Sequence, residues 1–272
     1  MRGRRSIGWV LLVTFAVLGN AAALRAAEPQ GGGAALLLGA VPVEAAPDVR
    51  LGAAMTLVLH LYPSPPTTVD ELARELGRVL PLTGARAGAV DALLDGRPRA
   101  VVGATPPQQP TFVLDYDQPA FGPLLEELHA ADGPHPTVEQ LRGFVHDYIT
   151  KKDLARAYDI ASVIASQREG DCTEHAVLLA ALLRAHGYVA RVMNGLVIFD
   201  VGGRPQAFCH TWAETTAGGS WRVVDATRVT ENGTAVFVPL RALSDEGPAY
   251  GADVLRTPYI ERITLSVAPA AE

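Results

Sequence analysis

The chain has 272 residues, with 23 Lys and Arg against 29 Asp and Glu for a net charge of −6, and 49% of its residues are hydrophobic. That balance excludes a disordered chain, and two cysteines are too few for a small disulfide-stapled fold. The length is enough for one large or two modest domains with a proper core, while 26 Gly and 20 Pro without a period exclude a collagen-like repeat.

Residues 1–5, MRGRR, place three arginines ahead of an apolar run from Ile7 to Leu18, and a small-residue stretch follows. The run is short for a bilayer span of about 20 residues, so the pattern reads as a secretory signal over 1–23, with Ala21-Ala22-Ala23 at the cleavage site. An uncleaved N-terminal membrane anchor is the rival reading. Cleavage would remove Arg2, Arg4 and Arg5 and no acid, taking the net charge from −6 to −9. A chain so acidic lacks the basic footprint that nucleic acid demands. No later stretch reaches membrane length, so the expected location is periplasmic or extracellular.

Residues 24–47, with Gly31-Gly32-Gly33, read as a flexible lead-in, and residues 48–130 as an N-terminal α/β module of unknown role. In that module Arg50 to Tyr62 reads as a strand closed by a turn at Pro63-Ser64-Pro65-Pro66, and Thr68 to Leu80 as a helix. After Pro106, Pro107 and Pro110 comes the short apolar run Phe112-Val113-Leu114.

A third segment, residues 131–268, carries sharper signals. Thr137 and Gln140 make a capping box, followed by Leu141, Phe144, Val145, Tyr148 and Ile149 at helical spacing. A helix is expected over Leu154 to Gln167, and Asp171 caps another that runs to about Ala185. The latter is apolar all round from Ala176 to Leu183, which requires burial. Strands follow at Tyr188 to Ile198, Phe208 to Thr215 and Ser220 to Ala226, and Asn232-Gly233 reads as a hairpin turn.

Cys172 stands at the start of the buried helix, where unpaired N–H groups and the dipole favour a thiolate, the form that attacks. His210 and Asp225 lie on adjacent strands. Pairing them also pairs Trp212 with Val223 and Glu214 with Trp221, and closes on a two-residue turn at Ala217-Gly218. In that register the two side chains share a face with Cβ atoms about 4.5–5.5 Å apart, and a one-residue slip would separate them. Such a set supports nucleophilic catalysis: His210 takes the thiol proton, Cys172 attacks an acyl carbon, and Asp225 orients the imidazole.

At Gly170-Asp171-Cys172-Thr173-Glu174-His175-Ala176, Leu183 to Val192, His210 to Glu214 and Trp221 to Thr227, the chain resembles the exported bacterial branch of the transglutaminase-like superfamily of cysteine enzymes. The resemblance implies an α+β, papain-like core, with the nucleophile at a buried helix N-terminus packed on an antiparallel sheet. It implies Cys172, His210 and Asp225 as catalytic triad and no cofactor. The activity it implies is hydrolysis or acyl transfer at amide bonds of peptides or proteins. Where the family often has Pro and Ala, this chain has Ala226 and Thr211. Gln167 and Tyr158 are the candidates for the side-chain oxyanion donor that relatives carry upstream of the cysteine, and Trp212, Trp221 and Glu174 for walls of the substrate site.

The alternatives are bland. A non-catalytic binding or assembly module could keep the same fold. A Cys172–Cys209 disulfide is disfavoured because aiming His210 at Cys172 turns its strand neighbour away, which leaves Cys209 as a small buried hydrophobe. A zinc site on Cys172, His175, Cys209 and His210 matches no common ligand spacing, so no metal is expected.

Overall fold

Two antiparallel-based sheets and a helical layer carry the chain. The computed structural model describes residues 38–61, 68–95, 99–101, 108–152, 158–227, 233–256 and 260–268. The leader over 1–23, the Pro63–Pro66 turn, Pro106, Pro107 and Asn232 lie outside the described residues.

Strand β3, Met55–Leu61, alternates buried and half-buried residues along its whole length, as a strand with one face on a core must. It pairs with β5, Ala89–Leu94, which in turn pairs with β4, Leu82–Arg86. On its other side lies β11, Ile260–Val267, so the C-terminal strand shares a sheet with residues 55–94. Helix α1, Val69–Leu76, starts where Thr68 caps it and stops at Gly77, earlier than the apolar spacing to Leu80 indicated.

The expected lead-in contains ordered structure. Strand β1, Leu38–Val41, pairs with the central sheet, and β2, Val43–Ala45, runs parallel to β11. Its small residues carry little periodic signal; partners far along the chain supply the hydrogen bonds.

The helical layer comprises α2, Phe121–Asp132; α3, Val138–Tyr148; α4, Ala161–Gln167; and α5, Cys172–Ala185. The Thr137–Gln140 capping box forms as the sequence indicates. Within the described residues the second expected helix begins only at Ala161, and residues 153–157 are not described. Phe112–Leu114 makes no strand; Val113 is tied by backbone hydrogen bonds to Asp245 and Ala161. Helix α5 is buried on every side from Cys172 to Arg184, as its apolar circumference requires.

The larger sheet runs β10, Ala235–Ala242; β7, Ala190–Val201; β8, Arg204–Ala217; β9, Ser220–Val224; and the two-residue β6, Arg99–Ala100. Ala190, Val192, Ala213 and Val224 join the core around α5, whereas Leu196, Ile198, Ala207, Val238 and Leu240 pack with Leu57, Leu59, Ile263 and Leu265 of the other sheet. A final helix, α6, spans Gly247–Arg256.

The β8–β9 register differs by two residues from the one expected. Glu214 pairs with Val223 and Ala217 with Ser220, so the turn is Gly218-Gly219 rather than Ala217-Gly218. Both turn residues have positive φ, 59° and 75°, as a tight hairpin of this kind needs, and Ala217 would be strained there. An even shift keeps every side chain on its face. Asp225 therefore stays on the His210 side, diagonal to it.

One glycine in this sheet is dictated by close approach. A Cβ at Gly195, opposite His210, would lie 2.2 Å from the Val238 carbonyl oxygen and 2.7 Å from the Trp212 ring. Gly195→Ala is therefore expected to cost about 2–3 kcal/mol, read as a lower urea midpoint at unchanged slope.

Candidate active site

The site forms where the central sheet is interrupted. Along one edge of β8, β9 pairs only as far as Ala213 and β1 begins at Cys209, so, among the described residues, positions 210–212 have a sheet neighbour, β7, on one side alone. His210 projects from this gap. Its Nε2 lies 3.2 Å from Asp225 Oδ1, and both side chains are buried. Thr227 Oγ1 sits 2.8 Å from each Asp225 oxygen, and the Thr227 N–H donates to Oδ1 at 3.2 Å. His146 on α3 holds the Ala226 carbonyl at 2.9 Å, anchoring the backbone that follows the acid.

Burial alone would lower the His210 pKa. The hydrogen bond to Asp225 and the nearby Cys172, with the charges of both, outweigh burial and raise it to about 10. Burial raises the Asp225 pKa, but His210 and Thr227 bring it net below the ordinary carboxylate value. The remaining ring nitrogen, Nδ1, is buried and takes no conventional hydrogen bond among the described residues, so it is the atom left to serve the thiol. Cys172 opens α5 directly after its Asp171 cap, and only 3% of its surface is exposed. The structure thus brings Cys172, His210 and Asp225 together.

The expected walls are placed differently. Trp212 has no exposed surface; its ring stacks beside His210 with centroids 6.0 Å apart and donates Nε1–H to Glu214 at 3.3 Å. Trp221 is buried beneath the Arg191 guanidinium, 3.8 Å from the ring centre. Glu174 is fully buried. None of the three offers a surface to substrate, because each is consumed in holding neighbours.

Of the two oxyanion candidates, Gln167 ends α4 on the exposed surface and hydrogen-bonds no member of the triad. Tyr158 is 37% exposed, and its phenol pKa is raised to about 12, first by burial and then by the charge of Cys172, Asp171, Cys209 and Glu174. The phenol is therefore neutral at ordinary pH. The Tyr158 backbone takes φ of +68°, a left-handed conformation uncommon for a residue with a side chain.

Cys209 corrects an expectation: it is exposed, not buried, and both cysteines are free. Its pKa is raised, first by desolvation among the surrounding atoms and then by the charge of Cys172. His175 has both ring nitrogens engaged, Nδ1 with the Asp171 carbonyl at 2.6 Å and Nε2 with Lys152 Nζ at 2.7 Å. Burial and then Lys152 push its pKa down to about 3.

Sequence reasoning missed Thr227, His146 and Asp159, whose backbone N–H donates to Glu174 at 3.2 Å. Thr two residues after Asp is a local turn signal and was available; the other two act through long-range contacts.

Residues 124–226 match the model of the transglutaminase-like superfamily. A candidate cysteine protease from Cytophaga hutchinsonii is similar at 14% identity, covering 82% of this chain and 88% of its own, with a TM-score of 0.41. The periplasmic domain of TgpA from Pseudomonas aeruginosa is 23% identical over 40% of this chain and 42% of that one, with a TM-score of 0.30. A TGase is 13% identical over 62% of this chain and 50% of its own, with a TM-score of 0.31. No curated protein matches. Among the described residues no helix is long and apolar enough to cross a membrane.

Proposed function

We propose that the chain is an exported, cysteine-dependent acyl hydrolase or acyltransferase acting on amide bonds of peptides or proteins. The observation that carries this reading is the buried His210, bonded to Asp225 at 3.2 Å through one nitrogen and coupled to Cys172. His210, protonated at neutral pH by its raised pKa, already holds on Nδ1 the proton taken from the thiol as Cys172 Sγ attacks the acyl carbon, and the carbonyl electrons move onto oxygen. In this reading the Cys172 backbone N–H and the Tyr158 hydroxyl donate to that oxyanion. As the tetrahedral adduct collapses, His210 returns the proton to the departing amine and a thioester remains. Water or a second amine then attacks the thioester with His210 as base, which decides between hydrolysis and transfer. Asp225 keeps the ring oriented and balances its charge throughout.

The test is a trapped intermediate. Brief reaction with activated esters and glutamine- or alanine-containing peptides, followed by acid quench and mass spectrometry, is expected to show one acyl group on Cys172 and none in Cys172→Ala. Persistent binding with no acylation of a reduced thiol would replace this reading with a non-catalytic module.

A further inference from the structure

Glu174 is buried completely, yet it is not idle. Its Oε1 accepts the Asp159 N–H at 3.2 Å and its Oε2 accepts the Asp171 N–H at 3.0 Å. Asp159 directly follows Tyr158, and Asp171 directly precedes Cys172. One carboxyl thus joins the backbone beside the phenol to the backbone beside the thiol. To reach both, its side chain runs across residue 170, where a Cβ would lie 2.2 Å from Glu174 Cβ and 2.4 Å from its Cγ, with φ of +155°. Only glycine admits that path.

We propose that Glu174 is a positioning residue whose carboxyl clasps the Tyr158 segment to the N-terminus of the nucleophile helix, setting the phenol over the acyl group bound at Cys172. This rests on the acyl-transfer reading given above.

Two further observations agree. Tyr158 holds a left-handed backbone conformation that needs outside support, and its ring meets buried Tyr250 edge-on with centroids 5.9 Å apart. The clasp fixes the chain end of this residue and Tyr250 the ring. The Glu174 pKa is raised to about 8, first by burial and then by the charge of Asp171 and a hydrogen bond to it. At neutral pH the carboxyl therefore keeps its proton, which relieves repulsion between two buried acids while leaving lone pairs for both amides. A plain helix cap would need only the bond to Asp171; the bond to Asp159 is the part that reaches another segment.

The test compares full-length wild type, Glu174→Gln, Tyr158→Phe and the double variant in three measurements. These are Cys172 alkylation by iodoacetamide, Cys172 acylation by p-nitrophenyl acetate, and amide exchange at Asp159 and Asp171. Iodoacetamide displaces iodide and develops no oxyanion, so it reads the thiol without the phenol. Glu174→Gln keeps one acceptor and replaces the other with an NH2 group. Acylation is expected to fall by about tenfold or more in each single variant, within the roughly 100-fold scale of one lost oxyanion donor, and no further in the double variant. Alkylation is expected to stay within about twofold of wild type, and the two amides to lose protection in Glu174→Gln. Parallel losses of acylation and alkylation in Glu174→Gln would reduce Glu174 to a helix cap and overturn the proposal, as would unchanged acylation. If wild type alkylates in a His210-dependent way but never acylates, the acyl-transfer reading fails. Exchange then decides the clasp, and retained protection in Glu174→Gln rejects it.

Discussion

His210→Ala is expected to lower acylation of Cys172 by about 10⁴-fold or more and to remove the rapid alkylation of that thiol near pH 6–7. The reason is geometric: the imidazole is the base between Asp225 and the sulfur, and Asp225 is occupied with the ring and Thr227. Mass-spectrometric mapping of alkylation against pH, with Cys209 as internal reference, checks it. Equal rates at Cys172 in wild type and variant would show that His210 is not the base.

The same residue fixes a pH dependence of stability. A histidine with a pKa near 6.5 unfolded and about 10 folded binds more protons in the folded state between those values. Its contribution is therefore complete below about pH 6.5 and is lost as pH rises toward 10. Asp225, lowered on folding, has the opposite sign: its contribution is present above its ordinary value of about 3.9 and is lost as pH falls further. The difference in unfolding midpoint between wild type and His210→Ala is expected to be largest near pH 5–6 and to shrink toward pH 10. A difference that grows with alkaline pH would refute the sign.

Glu214→Ala is expected to be the most damaging single change to stability. The Glu214 carboxylate is fully buried and accepts Arg191 Nε at 2.9 Å and Nη2 at 2.8 Å through one oxygen. Its other oxygen accepts from Arg99 Nη2 and from Trp212 Nε1. One anion thus serves two cations. Burial lowers the Arg99 pKa to about 10, and burial with the neighbouring Arg99 charge lowers that of Arg191 to about 9. Removing the carboxylate leaves two guanidiniums facing each other with side chains only 21% and 16% exposed. Breaking such a buried pair costs about 3–5 kcal/mol, and residual solvent contact places this case near the lower end. A fall in melting temperature of roughly 10 °C follows for a domain of this size. Calorimetry measures it, and a fall under about 2 °C would show that water replaces the carboxylate at little cost. Because Trp212 stacks beside His210, Cys172 acylation should fall as well.

The sequence by itself determined what local physics controls. The Asp171 cap, the wholly apolar α5 and the place of Cys172 at its first turn follow from residues within a few positions of one another. Strand alternation put His210 and Asp225 on one face, and that conclusion survived a register two residues away from the one expected, because faces repeat every second residue. Tertiary structure decided what depends on distant partners. The turn settled on Gly218-Gly219, where positive φ carries no Cβ penalty. The interruption beside β8 needs β1, whose pairing spans about 170 residues of chain and is invisible to any local pattern. Trp212, Trp221 and Glu174 read as walls because large or acidic residues near a nucleophile look available. Packing instead spent them on His210, Arg191 and two backbone amides. The segments of Tyr158 and Cys172 are joined by one buried carboxyl, Glu174. Contacts of that kind form when elements remote in sequence dock, so no spacing along the chain records them.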